Sequence, residues 1–349
     1  MAFNPSSASK LLVRAPNWLG DVVMSLPAVR AIRAIFSHAH ITVVARPSVS
    51  ELYARESSVD QVIRYEARGL SAKRAFALTL RAERFDCAIL LQNAFDAALM
   101  AWMARIPERI GYNRDARGWL LTRAIDMPEP GEIPRHERFY YLELLRRAGM
   151  MEHFPETIAI RLDGIPEARK TGARHLASLG ISGPVIGISP GAAFGTAKRW
   201  LPERFAEAAV KLSGSVLVFG SAAERDLCAL VAAATGGRTL AGETSLSEFI
   251  GLASVCRLFL TNDSGAMHVA SALGVPTVAI FGATDDTTTG PTGDNARVVR
   301  AHAECSPCLL RECPIDHRCM TRVTSDAVAS AAVQLWEECV PTWTHEARS

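Results

Sequence analysis

The chain has 349 residues, of which 49% are hydrophobic and 21% are charged. This composition excludes a disordered chain, and the length exceeds what one hydrophobic core usually supports, so we expect two domains. Residues 1–10 are polar and no run of about 18 apolar residues occurs, so the sequence predicts neither a secretion signal nor a membrane-spanning helix. We therefore expect a cytoplasmic protein.

The formal net charge of +2 conceals a difference between the two halves. Residues 1–150 carry 21 Lys and Arg against 15 Asp and Glu, and the remaining residues carry 17 against 21. A basic first half suits an anionic partner, although a modest excess is also typical of an ordinary solvated surface. We expect no nucleic acid partner.

Short apolar runs alternate with helical patterns through the first half, which is typical of a parallel sheet covered by helices. The predicted helices are 21–36, 71–84, 94–104 and 135–149. The predicted strands are 11–14, 41–45, 61–65, 87–91 and 109–112.

The pattern loosens between residues 150 and 183, where prolines interrupt it, and we place a linker there. A second series of strands and helices follows. Its predicted strands are 185–189, 215–220, 238–241, 257–261 and 277–282. Its predicted helices are 202–212, 223–234, 247–255, 264–273 and 325–339.

This order predicts an α/β protein with two Rossmann-like, doubly wound domains that face each other across a cleft. We expect domain boundaries at 1–165 and 166–325, followed by a C-terminal helix and tail, 326–349, able to cross back to the first domain. No GxxxxGK[ST] or GxGxxG motif occurs, which disfavours P-loop enzymes and nicotinamide dehydrogenases. Ligands of such folds bind at the turns that follow strands.

The first such turn leads from the first strand into a helix that begins near Asp21. Gly20 allows close approach of a ligand, and the Asp21 carboxylate could accept a proton from an attacking sugar hydroxyl. The alternative is that Asp21 only caps the helix.

Two turns of the second half predict phosphate and hydroxyl contacts. Gly191 lies in a glycine-containing loop, and Lys198 supplies a positive charge for a diphosphate, unless it is an ordinary surface lysine. Glu224 follows another strand and could bind ribose hydroxyls, or favour the start of the next helix.

The segment TNDSGAMH, residues 261–268, forms a third turn. Ser264 and Gly265 open a helix whose free N–H groups would bind phosphate, and Asp263 could accept hydrogen bonds from sugar hydroxyls. His268 lies one turn into that helix, where a structural role is the alternative.

A cluster of cysteines lies near the end of the second series, with His302 and His317 close by in sequence. Such spacing can hold zinc or iron, and an ordered thiol-rich loop is the alternative. The cysteines are Cys305, Cys308, Cys313 and Cys319.

Four segments together resemble lipopolysaccharide core heptosyltransferases. They are APNWLGDVVMSLP at 15–27, RIGYNRDARGWLL at 109–121, PGAAFGTAKRW at 190–200 and TNDSGAMHVA at 261–270. The first and third are typical of the branch that adds the second heptose. The resemblance extends from about residue 11 to residue 340.

The resemblance implies a B-type fold and an inverting glycosyltransferase that requires no metal cofactor. It implies ADP-heptose as the donor and a heptosylated lipid A core as the acceptor, at the cytoplasmic face of the inner membrane with peripheral membrane contact. Asp21 is then the general base, and Asn17, Trp18, Arg114 and Arg117 meet the acceptor. The implied donor contacts are Gly191, Lys198, Glu224, Asp263, Ser264, Gly265 and His268, with Thr244 and Ser245 near adenine.

Two alternative functions remain open at this point. One is a transferase or epimerase of the same fold that uses another nucleotide sugar, which a panel of donors would distinguish. The other is a non-catalytic paralogue that binds nucleotide sugars, against which Asp21, Lys198 and Asp263 argue. For Arg114 and Arg117, surface arginines paired with Glu108 and Asp115 are the alternative to acceptor binding.

Overall fold

The computed structural model describes residues 8–346, with side chains described from residue 8 to residue 339. The chain divides into two compact units, Met1–Ala159 and Ile160–Ser349. Most of the predicted polar start and the last residues of the predicted tail lie outside the described residues. No described helix has both the length and the hydrophobicity that crossing a bilayer requires.

The first unit is built on a six-stranded parallel sheet whose strands lie in the order β3-β2-β1-β4-β5-β6. Its central strands consist mainly of buried apolar residues because helices cover both faces of the sheet. Its elements are β1 Lys10–Arg14, α1 Leu19–Ile35, β2 His40–Ala45, α2 Pro47–Tyr53, β3 Gln61–Arg64, α3 Gly69–Ala82, β4 Cys87–Leu90, α4 Phe95–Met103, β5 Glu108–Tyr112, β6 Arg123–Ile125 and α5 Glu137–Arg147.

The second unit repeats this plan, with the strand order β12-β11-β10-β7-β8-β9. The last helix packs into the core of this unit through Val328, Ala332 and Leu335. Its elements are α6 Ile165–Ser178, β7 Val185–Ser189, α7 Pro202–Ala209, β8 Ser215–Val218, α8 Arg225–Thr235, β9 Arg238–Thr239, α9 Leu246–Ser254, β10 Leu258–Asn262, α10 Gly265–Ala272, β11 Thr277–Phe281, α11 Asp286–Thr289, β12 Ala296–Arg300, α12 Arg318–Thr321 and α13 Ser325–Glu346.

The predicted α/β class with two doubly wound sheets is confirmed, but some elements differ from the predictions. Helix α6 lies where the sequence predicts a linker, because Pro166 occupies the first turn of the helix, where a missing N–H costs nothing. The edge strands β6 and β12 escape prediction because they are partly exposed and lack a continuous apolar run.

The register of each sheet decides which turns lie side by side. In the first unit Arg14, at the end of β1, pairs with Leu90, at the end of β4. In the second unit Ser189, at the end of β7, pairs with Thr261 of β10. The loops that follow β7 and β10 therefore leave the same edge of the sheet next to each other.

Candidate active site

A buried arginine, Arg14, stabilises the turn between β1 and α1 through hydrogen bonds. The Arg14 guanidinium donates to the carbonyl oxygens of Ala15 and Val44, at 2.7 and 3.1 Å, and to Asn17 Oδ1 at 3.1 Å. Burial lowers the pKa of Arg14 to about 10, so it stays charged at neutral pH. These bonds fix the segment that leads to Trp18, whose side chain is exposed and which precedes the helix.

Asp21 lies in the first turn of α1, where the helix N–H groups favour a negative charge. Helix α5 packs against α1 and brings the Glu137 carboxyl group near that of Asp21. Burial, and secondarily the charge of Asp21, raise the pKa of Glu137 to about 7. The first unit therefore holds two neighbouring carboxyl groups, one of which retains a proton to near neutral pH.

The two arginines that the sequence assigns to the acceptor have different surroundings. Arg114 is exposed and hydrogen-bonds to Tyr140, and its charge opposes the rise in the pKa of Glu137. Arg117 is fully buried, and its guanidinium donates to the carbonyl oxygens of Tyr112 and Gln92. The donors of Arg117 therefore hold the loop that follows β5, and its predicted acceptor contact stays a prediction.

In the second unit, Asn262 joins the loop after β7 to the end of β10. Its side chain is buried, donates to the carbonyl oxygen of Pro190 at 2.7 Å and accepts from the Trp200 N–H at 3.0 Å. Both ends of the loop 190–200 are thus fixed to the neighbouring strand. Gly191 leaves room within it for the Glu224 carboxylate, because a Cβ atom there would lie 2.0 Å from Glu224 Oε1.

Lys198 and Asp263 form an ion pair at this edge of the sheet. The Lys198 ammonium donates to Asp263 Oδ2 at 2.5 Å, and Thr284 Oγ1 donates to the same oxygen at 2.5 Å. Asp263 is 5% exposed, so its charge is stable there only because it is paired and hydrogen-bonded. The ammonium also lies 4.8 Å from the centre of the Phe194 ring, which restricts its position further.

Helix α10 starts directly after Asp263 and leaves its first N–H groups without intrahelical acceptors. Ser264 occupies the N-cap position, and its hydroxyl lies 3.2 Å from that of Thr261 rather than on a helix N–H. Gly265 is the first helical residue. His268 is buried one turn further on, which agrees with the structural alternative for this histidine.

The predicted ribose and adenine contacts lie at the ends of β8 and β9. Glu224 Oε2 accepts from the N–H and the hydroxyl of Ser221, both at 2.8 Å, so the carboxylate has a fixed position. The Ser245 hydroxyl accepts from the Glu248 N–H and caps α9. Thr244, which precedes it, is partly exposed.

The cysteine-rich segment lies against the loop that carries Lys198, a contact that sequence reasoning missed. Ala197 donates its N–H to the Arg311 carbonyl oxygen at 3.0 Å, and its own carbonyl oxygen lies 2.9 Å from His317 Nε2. A carbonyl only accepts, so Nε2 carries the proton. The Arg311 guanidinium also lies over the Phe194 ring.

Burial, and secondarily the nearby Cys305, Cys308 and Cys313, raise the pKa of Cys319, so the four cysteines of this segment lie near one another. Among the described residues, no three His, Cys, Asp or Glu side chains are grouped so that they could hold a metal ion. Cys305 is exposed and Cys319 is buried, and the Cys313 sulfur accepts the His317 N–H at 3.3 Å. The predicted zinc or iron at Cys305, Cys308, Cys313 and Cys319 is therefore not supported.

The structure thus gathers Gly191, Lys198, Asp263 and the start of α10 at one sheet edge, and it gathers Asp21 and Glu137 in the other unit. Three further residues belong to the group around Lys198 and were not predicted as site residues: Thr284, Asn262 and His317. A signal for His317 existed only in its proximity to the cysteines, which indicates a metal rather than a contact with Ala197.

The fold and these turns are those of a nucleotide-sugar glycosyltransferase, and residues 73–318 match glycosyltransferase family 9 (heptosyltransferase). The chain belongs to this family. It is 34% identical to lipopolysaccharide heptosyltransferase 2 of Salmonella typhimurium over 307 residues, 83% of this chain and 88% of that one. The predicted family resemblance, including its branch, is confirmed.

Similar folds occur among the solved structures, and two of them are compared with this one. That of Escherichia coli ADP-heptose lipopolysaccharide heptosyltransferase II has a TM-score of 0.81 and 30% identity, covering 94% of this chain and 99% of that one. A family 9 glycosyltransferase of Veillonella parvula also has a TM-score of 0.81, at 22% identity, covering 97% and 99%. This second similarity is one of fold.

Glu137 should make stability depend on pH. Its pKa in the folded protein, about 7, exceeds the usual value of 4.5, so folding retains a proton that the unfolded chain loses. The free energy of unfolding should therefore fall as the pH rises from 5 to 8, by about 1–3 kcal/mol. Glu137→Gln, which imitates the protonated group, should match the wild type at pH 5 and have a higher melting temperature at pH 8.

The control is Glu152→Gln, which removes an exposed carboxylate from the same unit. It should leave the difference from the wild type constant across this pH range. Equal melting temperatures for Glu137→Gln and the wild type at every pH would show that Glu137 ionises normally.

Proposed function

We propose that this chain transfers L-glycero-D-manno-heptose from ADP-heptose to the first heptose of the lipopolysaccharide inner core, with inversion and without a metal cofactor. Membership of the heptosyltransferase family supports the proposal. So do relatives that are named lipopolysaccharide heptosyltransferase 2 or II and match over most of both chains. The observation that carries it is the Lys198–Asp263 pair beside the start of α10. A cation, free N–H groups and a carboxylate there suit a sugar diphosphate.

In this proposal the diphosphate binds between the Lys198 ammonium and the N–H groups of Ser264 and Gly265. The charge that builds on departing ADP is then balanced by fixed positive charge and dipoles, the role that a divalent ion has in other transferases. Asp263 binds the heptose. Lys198 and Thr284 both occupy its Oδ2, so Oδ1 is the oxygen that a sugar hydroxyl would meet.

We assign the nucleoside to the ends of β8 and β9. Glu224, whose carboxylate is held by Ser221 and lies against Gly191, accepts the ribose hydroxyls. Thr244 binds adenine through its side chain. Ser245 contributes through its backbone, because its hydroxyl caps α9.

Asp21 is the proposed general base, removing the proton of the acceptor hydroxyl as it attacks the anomeric carbon. The N–H groups at the start of α1 favour the charged form of a carboxylate in this position. Burial raises the pKa of the neighbouring Glu137 to about 7. Asn17, Trp18 and Arg114 are the proposed acceptor contacts. Such an acceptor is anchored in the inner membrane, so we place the enzyme at its cytoplasmic face, in peripheral contact.

The purified chain with ADP-heptose and a heptosylated core acceptor should release ADP and yield a product heavier by one heptose, detected by mass spectrometry. Asp21→Asn should lower kcat by about two orders of magnitude or more, because general-base catalysis contributes that much, while ADP affinity stays near that of the wild type.

Asp126→Asn is the matched control, since Asp126 is an exposed aspartate of the same unit. It should retain full turnover. Wild-type turnover in Asp21→Asn would remove the assignment of the base, and transfer from another nucleotide sugar in preference to ADP-heptose would remove that of the donor.

Lys198→Ala should raise the donor KM and lower kcat together, each by about tenfold or more, because it removes a charge-assisted hydrogen bond to the diphosphate. Titration calorimetry with ADP should show the same loss of affinity. Lys211→Ala, which removes an exposed and ion-paired lysine of the same unit, should change neither. Unchanged donor kinetics in Lys198→Ala would refute the phosphate role.

His317 is a positioning residue in this scheme, because it acts on the loop of Lys198 through the Ala197 carbonyl. His317→Ala should raise the donor KM about fivefold, the cost of one net hydrogen bond, with kcat and the acceptor KM nearly unchanged. His317→Gln, which keeps a donor, should recover part of the loss.

His302→Ala is the control, since His302 is an exposed histidine of the same segment. It should behave as the wild type. Equal donor KM values for His317→Ala and His317→Gln, or a loss confined to the melting temperature, would reduce His317 to a purely structural role.

A further inference from the structure

The first unit carries an apolar surface on α3 and α4 that no part of the proposed function uses. A groove of about 750 Å³ runs along these helices, between leucines and the aromatic ring of Trp102. Leu70 is 71% exposed, Leu78 53% and Trp102 47%. Exposed groups of this size, clustered on one face, mark an interaction site on a water-soluble protein rather than ordinary surface.

The apolar surface continues beyond the groove as a cluster of aromatic rings. The Trp119 ring lies 6.3 Å, centre to centre, from each of the Trp102 and Phe95 rings. All three side chains are exposed. Tryptophan combines a large apolar ring with one polar N–H group, which suits the boundary between hydrocarbon and water.

Arginines alternate with the leucines along α3. Leu70, Arg74, Leu78 and Arg81 follow each other at steps of four, four and three residues, so they share one face of the helix. Arg105 joins this face at the end of α4. An arginine on such a face extends its apolar stem along the groove and leaves its charge at the rim.

Three of these charges lack acidic partners in the part of the chain that the structure describes. Arg74, Arg81 and Arg105 form no ion pair with any residue that the structure describes, whereas Arg33, Arg147 and other arginines of this unit do. A groove of the other unit, about 400 Å³ between α7 and α8, is instead lined by Glu203 and Glu207. Both grooves therefore expose apolar side chains, but only the groove on α3 and α4 combines them with arginines that have no acidic partner among the described residues.

We propose that this surface, formed by Leu70, Arg74, Leu78, Arg81, Trp102, Arg105 and Trp119, docks the protein onto a bilayer that contains anionic phospholipid. Headgroup phosphates complement the arginines, and the leucines and tryptophans enter the interface between headgroups and acyl chains. An acidic protein would complement the charges but not the exposed leucines between them. The docking proposal rests on the proposed function in one respect, because an acceptor anchored in the membrane would require the enzyme to bind there.

Vesicle co-sedimentation of the full chain, without donor or acceptor, tests the proposal. The wild type should bind phosphatidylethanolamine–phosphatidylglycerol vesicles at least tenfold more strongly than phosphatidylcholine vesicles. Arg74→Ala/Arg81→Ala should lose about tenfold or more of this affinity, because each basic residue near an anionic surface contributes about 1 kcal/mol. Lys170→Ala/Arg174→Ala, with two exposed basic residues on a helix of the other unit, is the charge-matched control and should bind as the wild type.

A second pair of variants tests the apolar contact. Leu78→Ser should weaken binding several-fold, whereas Leu230→Ser, at an exposed leucine of the acidic groove, should not. Quenching of tryptophan fluorescence by brominated acyl chains should disappear in Trp102→Phe/Trp119→Phe and persist in Trp18→Phe.

Three results would overturn the proposal. They are equal binding to both kinds of vesicle, equal loss in the Arg74/Arg81 and Lys170/Arg174 variants, and a dimer in solution that Leu78→Ser dissociates while no vesicle binds. A failure of docking is distinguishable from a failure of the proposed function, because the docking variants should keep wild-type transfer to a truncated, lipid-free acceptor.

Discussion

The pairing of the Lys198 ammonium with the Asp263 carboxylate is the interaction around which the second unit's site is arranged. A buried carboxylate is costly to desolvate, and the lysine and Thr284 together compensate that cost. The same pair presents a cation and an anionic oxygen at one place. A sugar diphosphate carries negative oxygens and neighbouring hydroxyl groups. Its diphosphate can pair with Lys198 while its hydroxyl groups donate to Asp263, so neither charge loses its partner.

Two contacts from distant parts of the chain keep that pair in place. Asn262 fixes both ends of the loop that bears Lys198, and His317 holds the carbonyl group of Ala197, the residue before it. The loop is short and glycine-containing, so without these contacts its lysine would sample many positions. Preorganisation of this kind is what lets a charge stabilise a transition state without reorganising during the reaction.

The sequence predicted the two sheets because buried parallel strands are continuous apolar runs, and it predicted Lys198 and Asp263 because both follow such strands. It did not predict the neighbours that decide their behaviour. The electrostatic influence of Asp21 on Glu137 depends on how α5 packs on α1. Arg117 reads as a surface charge although it is buried. Periodicity reports which face of an element is apolar, and it contains no information about which elements pack together.

The arginines of the first unit have different structural roles, although together they produce its excess of positive charge. Arg14 and Arg117 are buried and donate to carbonyl oxygens, so their charges hold loops. Arg74 and Arg81 lie between exposed leucines and have no described acidic partner, so their charges face outward. The basic composition of this half therefore overstates the charge available to a ligand, and the position of each guanidinium decides what it can bind.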